Sequence, residues 1–567
     1  MFRTRSTIAA LLCLAFASGA SAQVNDNWAN RTEITTLPFH VKETQLDSAT
    51  HEQTDPAPPC GGVGNTLWYG FTTGGSPAYL SLVLSPVADV EGAVLGTVAV
   101  YSGTPGAFKL VNGACASDTG NLQKGRLFGV RLEPNTAYSI EIGNAAAFGP
   151  GQRIDLTVSA SPTYTVTKIA DTADGMCSVG DCSLREAISA ANSAPGAVLV
   201  PAGTYTLGIA GENDNLNATG DLDVNAGMGI YGAGMDTTTI DANHIDRVLD
   251  VHGNTLNPLA AMVGDLTLAN GTLTSMLSPR EGGGLNAALG DGDFIGIERV
   301  KFIGNSAFQG GGGARLTKQG MVSYSHFTGN STFSNGGGLA LLAFQQGNYF
   351  DVIGCTFDDN TSTSGFGGGI DAYGTVRVAN STFSGNHAAF GGAGINAGGN
   401  APIVLRSSTI VFNEVTAFGA QGAGLRLDTS NGSNEISNNV IAGNTSDPDD
   451  DNDCYNDGSA MSTHHNHVQR NNNCSFTGTG DVLGTNPLVD PALANNGGPT
   501  PTHALDPLSP VLDTADPTGC VDGAGLPLEF DQRGAGFPRR SGMVCDKGAF
   551  ERTSNTVFYD GFETPLP

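Results

Sequence analysis

The residues of this chain with the clearest chemical potential lie late in the sequence. Asp447, Asp449, Asp451 and Asp453 alternate within the run Asp447-Pro448-Asp449-Asp450-Asp451-Asn452-Asp453. Closely spaced carboxylates are hard oxygen donors, so this run offers a Ca²⁺ cofactor site. It lacks the glycine and terminal glutamate of an EF-hand loop, and a solvated acidic loop is the competing reading. His464, His465 and His467 follow closely; zinc and an exposed His-rich turn are the alternatives there. Asp358-Asp359 sits inside a repeated turn, where a structural role is expected. Gly227-Met228-Gly229-Ile230-Tyr231-Gly232 matches a dinucleotide fingerprint literally, but no following helix or β-α-β unit accompanies it. The sequence assigns no catalytic residue.

These groups must be positioned by a repeat. Phe302-Ile303-Gly304-Asn305 recurs as Phe327-Thr328-Gly329-Asn330, Phe357-Asp358-Asp359-Asn360 and Phe383-Ser384-Gly385-Asn386, then as Ile410-Val411-Phe412-Asn413 and Ile441-Ala442-Gly443-Asn444. The asparagines are 25, 30, 26, 27 and 31 residues apart. Glycine clusters punctuate the same period: 282–284, 311–313, 336–338, 367–369, 391–392 and 422–424. A period of this length means a solenoid. Without helical periodicity between the turns, each period suits one coil of three short strands, and the expected fold is a parallel β-helix. Coils then stack about 4.8 Å apart through backbone hydrogen bonds. The Phe or Ile of each motif stacks inside. Asn305, Asn330, Asn360, Asn386, Asn413 and Asn444 form a structural amide ladder, and glycines occupy corners where a side chain would clash. By the same count Ile353, Cys355 and Phe357 share a face. Val300, Ser325, Cys355, Ser381, Ser408 and Asn439 form a small inward column, so Cys355 reads as a buried, inert thiol.

Composition agrees with stacked strands and tight turns. Of 567 residues 80 are glycine, and 26 Lys and Arg face 54 Asp and Glu, for a net charge of −28. Polyanion binding needs clustered cations, and none appear, so nucleic acid is not expected as a partner. Residues 1–22 read as a secretory signal, with Arg3 and Arg5, an apolar core from Ile8 to Ala17, and Ala20-Ser21-Ala22 before the cut. No segment reaches the length of a transmembrane span. Of ten cysteines, Cys13 leaves with the signal and Cys355 is left over. Proximity suggests Cys60 with Cys115, Cys177 with Cys182, Cys454 with Cys474 and Cys520 with Cys545, although sequence cannot fix connectivity. Disulfides suit an oxidising compartment.

Residues 23–160 alternate in short strands such as Tyr79-Leu80-Ser81-Leu82-Val83-Leu84, which predicts an antiparallel β-sandwich. Residues 163–510 carry the β-helix. Ser183 and Glu186 open a capping helix near 183–192, with Leu184, Ile188 and Ala191 on its apolar face and Arg185 expected on a solvated one. Residues 511–551 read as a disulfide-containing cap of the β-helix, and 552–567 as a tail.

Asp181-Cys182-Ser183-Leu184-Arg185-Glu186-Ala187-Ile188 resembles the motif of CSLREA-domain proteins. Asn496-Gly497-Gly498-Pro499-Thr500-Pro501-Thr502-His503, Asp531-Gln532-Arg533-Gly534 and Cys545-Asp546-Lys547-Gly548-Ala549-Phe550-Glu551 resemble the choice-of-anchor Q region. The glycine and Phe-x-x-Asn repeats are similar to those of polymorphic outer-membrane proteins of the pectate-lyase-like superfamily. The first 160 residues resemble pre-peptidase C-terminal-type modules through Asn25-Asp26-Asn27-Trp28 and Leu67-Trp68-Tyr69-Gly70-Phe71. Val557-Phe558-Tyr559-Asp560-Gly561-Phe562-Glu563 is similar to a short tail of secreted Gram-negative proteins. The resemblance implies a right-handed β-helix, exported or displayed on the surface of a Gram-negative bacterium, and no established reaction.

The expected function is therefore non-enzymatic: adhesion, or binding of an extracellular glycan or cell-surface ligand. The alternative is a polysaccharide lyase or glycoside hydrolase with an atypical site. The Asn-Thr-Asp, Gly-His-Gly and Arg-Ile-Lys signatures of pectin-type hydrolases are absent. By the repeat register, no acidic trio in adjacent coils accompanies Arg315, Arg377, Arg406 or Arg426.

Overall fold

The computed structural model describes residues 24–43, 49–62, 64–86, 96–117, 125–144, 154–211, 214–253, 259–273, 281–345, 347–399, 402–429, 433–446 and 453–553. The expected signal segment 1–22, most of the tail, and Asp447, Asp449 and Asp451 lie outside the described residues. No helix among the described residues is long and apolar enough to cross a membrane.

The N-terminal strands make two packed sheets. One orders Thr32–Ile34, Asn65–Thr72, Ala137–Asn144, Thr97–Ser102 and Lys109–Ser117; the other orders Phe39–Glu43, Ile154–Ala160, Ala78–Pro86 and Arg126–Leu132. All pairings are antiparallel except that of Thr32–Ile34 with Asn65–Thr72. Alternation places Leu67, Tyr69, Val98, Val100 and Ile140 against Leu80, Leu82, Leu127 and Val158 in a common core. On the opposite face Trp68 stacks on Phe108 at 5.2 Å, beside the Cys60–Cys115 disulfide.

Beyond Thr163 the chain coils. Nine strands, from Leu222–Val224 to Cys454–Asn456, form one parallel sheet; seven two-residue strands, from Thr272–Leu273 to Thr445–Ser446, form a second. A twenty-strand array covers the remaining side, each complete coil giving it two rows joined at a bend. Inside, Phe302, Phe327, Phe357 and Phe383 stack at centroid distances of 4.4, 4.7 and 4.9 Å. Each ladder asparagine is fully satisfied. Asn330 Nδ2 donates to Asn360 Oδ1 at 2.9 Å and to Phe302 O at 3.0 Å, while its own Oδ1 accepts from Asn305. A cluster's leading glycine takes a left-handed φ, +72° at Gly336, and a Cβ on Gly337 or Gly338 would overlap the next coil's carbonyl. One register expectation needs correction. Gly354 at φ +70° turns the chain between two strands, so Val352 rather than Ile353 shares the interior with Cys355 and Phe357.

The helix Leu184–Ser193 covers the first coils. Ser183 and Glu186 form the capping box, and Leu184, Ile188 and Ala191 pack into the solenoid core. Arg185 departs from its expected solvated position. It is buried, pairs with Asp171 at 2.8 Å, and donates to the carbonyls of Gly220 and Asp221. A buried guanidinium needs such partners, and the loop before the nine-stranded sheet supplies them.

The sandwich sits on the flank of the early coils. Tyr231, Ala260 and Met262 join its core, and a Cβ on Gly296 would overlap the backbone of Gly113, so glycine permits this approach. The C-terminal segment expected to cap the solenoid packs against its later coils. It runs along the flank, because its polar side chains find partners at the bends of successive coils. Gln532 bonds Thr356 at 2.7 Å and Thr382 at 2.6 Å, Arg406 donates to Asp522 O at 2.9 Å, and Lys547 reaches Gly480 O at 2.9 Å. Burial pulls the Lys547 ammonium down to about 8. Within the segment Asp531 clamps Arg533, whose guanidinium lies over Phe537 and Phe550.

Candidate functional site on the nine-stranded sheet

A parallel solenoid presents one residue per coil at each outward position, so a surface column is written by register. In the nine-stranded sheet Leu222, Leu249, Leu285, Ala314, Leu339, Ile370, Ile395, Leu425 and Cys454 point inward. Their neighbours form the outer column Asp223, Asp250, Asn286, Arg315, Ala340, Asp371, Asn396, Arg426 and Tyr455. The order acid, amide, guanidinium occurs twice along it, at Asp250, Asn286 and Arg315 and at Asp371, Asn396 and Arg426. Asn286 bridges Asp250 at 2.9 Å and Arg315 at 3.2 Å. Asn396 likewise bridges Asp371 at 2.7 Å and Arg426 at 3.1 Å. Burial raises Asp371 to about 7, partly offset by the Asn396 amide.

Aromatic side chains border this column. At one corner Phe308 stacks on Phe333 at 5.1 Å and Phe366 meets Phe390 at 5.8 Å, with Phe418 a coil further on. Arg426 reaches from the column to this border, its guanidinium 4.7 Å from the Phe366 ring centre. At the other border Phe344 and Tyr373 lie 6.4 Å apart, and the Tyr373 ring spreads over Gly398, which has no side chain to displace it. Phe333, Phe344, Phe390 and Phe418 are 53, 73, 49 and 88% exposed.

The first coils hold a different arrangement. Asp223 and Asp250 are register partners, and His252 stands two residues further along the same face. Its Nε2 lies 3.0 Å from Asp250 Oδ2 and 3.8 Å from Asp223 Oδ1. Buried Arg247 contacts Asp250 and lies 3.2 Å from Asp221. Asp250 is held low despite its burial, by His252 and Arg247, whereas burial and neighbouring acids push Asp221 up to about 8. This acidic group in adjacent coils escaped the sequence reading. The coils before Phe302 lack the Phe-x-x-Asn marker, so their register could not be counted.

The predicted site residues have other places. Asp453 is buried, where its Oδ1 accepts from Asn444 and its Oδ2 from the Arg470 amide at 2.8 Å. His467 is buried and bonds Thr485 O, while His464 and His465 lie 3.2 and 3.9 Å from Asp516. The four cysteine pairs are disulfides, and Cys355 is a buried free thiol. Asp174, Asp181 and Glu186 converge, but on Lys168. A crevice between sandwich and solenoid gathers Arg131, Glu133, Asp265, Glu298 and Arg299, which are paired with one another.

Residues 321–488 match the family model described as a right handed beta helix region. The solenoid is a right-handed β-helix. Searching the curated proteins returns no match to the chain. Among solved structures the β-helix is similar to a GH87 alpha-1,3-glucanase catalytic domain in complex with nigerose, at 11% identity and a TM-score of 0.24, covering 76% of this chain and 88% of that one. The Agl-KA catalytic domain is similar at 15% identity and a TM-score of 0.22, covering 78% and 97%. Overlays this loose carry no argument about the site of this β-helix.

Proposed function

We propose that this protein is exported and, without catalysing a reaction, binds an extended extracellular glycan along the outer face of the nine-stranded sheet. The observation that carries this reading is the pair of exposed aromatic borders, held in place beside a largely buried column of polar groups bonded to one another. Exposed apolar patches rimmed by polar groups mark interaction surfaces, and aromatic rings give large rigid contact area at low entropic cost. Coils repeat about every 4.8 Å, and Phe308, Phe333, Phe366, Phe390 and Phe418 recur along one corner, so a chain-like ligand meets aromatic rings as it extends. Four disulfides support an oxidising, extracellular setting.

A polysaccharide panel tests the proposal, reading both retention of the protein and release of reducing or unsaturated ends. Retention without products is expected. A second reading, a glycoside hydrolase, is favoured by one observation: Asp223 and Asp250 are paired carboxylates on the same outer face. Product formation lost in Asp223→Asn would replace the first reading with the second.

A further inference from the structure

We infer that Asp223, Asp250 and His252 form a binding site for a divalent transition-metal ion of the zinc class. Parallel pairing of Leu222–Val224 with Leu249–His252 sets the two aspartates side by side, and alternation keeps His252 on the face of Asp250. One ligand atom from each residue falls within 4.8 Å of the other two.

The remaining atoms of the two carboxylates are already engaged. Asp223 Oδ2 accepts the Asn217 amide at 2.7 Å, and Asp250 Oδ1 accepts Asn286 Nδ2 at 2.9 Å. These bonds fix the carboxylates and turn Asp223 Oδ1 and Asp250 Oδ2 toward the imidazole, Asp250 Oδ2 also accepting from the Arg247 guanidinium. Asp223 is 0% exposed, yet its Oδ1 has no hydrogen-bond partner. A buried carboxylate oxygen without a partner costs free energy that a cation recovers.

Charge points the same way. Asp221, Asp223 and Asp250 are buried close together, and the Arg247 guanidinium contacts Asp221 and Asp250. The donor set is two carboxylates and an imidazole, which suits zinc, manganese or iron better than calcium or magnesium. His252 is 31% exposed at its side chain, so the site opens to solvent on one side. Three protein ligands and an open side leave a coordination position for water or a ligand oxygen. The group His464, His465 and Asp516 offers a comparable set but no fully buried unpartnered oxygen, and it serves as the internal control.

The test is calorimetric titration of chelator-treated full-length protein with zinc chloride, checked by the absorption spectrum after cobalt substitution. One ion per chain is expected. Affinity should fall at least tenfold in His252→Ala and in Asp223→Asn, and stay unchanged in His464→Ala. His252 is partly exposed, so its variant retains the fold if Asp223→Asn does not. Absence of stoichiometric binding, unchanged affinity in His252→Ala, or loss only in His464→Ala would overturn the inference.

Discussion

Asp453 Oδ1 accepts two hydrogen bonds from Asn444, one from the backbone amide at 3.0 Å and one from the side-chain amide at 2.8 Å. It takes the role that Asn444 plays for Asn413, and so ends the asparagine ladder. Asp481 does the same for a second column. Ser381 bonds Ser408, Ser408 bonds Asn439, Asn439 bonds Asn466, and Asp481 Oδ1 accepts both amides of Asn466 at 2.8 and 3.0 Å. An aspartate is an acceptor only, which is what a ladder of donors needs at its last rung.

Replacing Asp453 by alanine should therefore destabilise the C-terminal coils. Two donors of Asn444 and the amide of Arg470 lose their acceptor, at a cost of about 2–4 kcal/mol. Asp453→Asn keeps the Oδ1 acceptor and should cost less. Chemical denaturation of the two variants beside the parent protein gives the order. Equal stability of Asp453→Ala and the parent would refute the role of terminal acceptor.

Truncating Phe357 to alanine removes the middle of a four-ring stack. A cost of about 3–5 kcal/mol is expected, and hydrogen exchange should rise first in the coils directly above and below, because coils contact only their neighbours. Protection lost uniformly along the solenoid would contradict this.

Asp371 makes stability depend on pH. Its folded value is raised to about 7, against an ordinary 3.8, because burial penalises the charged form. Between these values the folded state binds more protons than the unfolded state, so this contribution falls as pH rises. Asp371→Asn keeps the acceptor for Asn396 and removes the charge. Its melting temperature should match the parent's near pH 4 and exceed it by several degrees near pH 8. A gap that does not widen with pH would count against the buried charge.

Cys355 should be silent in the folded protein. Burial pushes its thiol up to about 12, and the other described cysteines are in disulfides. Alkylation of the protein lacking residues 1–22 should label no thiol when native and one when unfolded without reductant. More than one labelled site would break the pairing.

The β-helix was legible because its evidence is periodic. Phe302, Phe327, Phe357 and Phe383 recur with Asn305, Asn330, Asn360 and Asn386, and a repeated residue type at a fixed period can only stack. What does not repeat was not legible. Asp453 and Asp481 close their ladders through irregular connections, so Asp453 reads in sequence as part of an acidic loop. Gly354 reverses the face of the chain without changing composition. Asp223 and Asp250 become neighbours only once the first coils are in register. The flank-bound segment around Gln532 has no strand pattern, since side-chain bonds to coil bends hold it.

The central claim is that the bordered face of the nine-stranded sheet binds glycan. Phe390 and Phe418 are exposed, so Phe390→Ala with Phe418→Ala should leave stability within about 0.5 kcal/mol of the parent. The decisive measurement is the affinity of parent and double variant for a polysaccharide that the parent retains. The account predicts at least a tenfold loss in the double variant, with an unchanged melt and no released product. Equal affinity of the two proteins would contradict it.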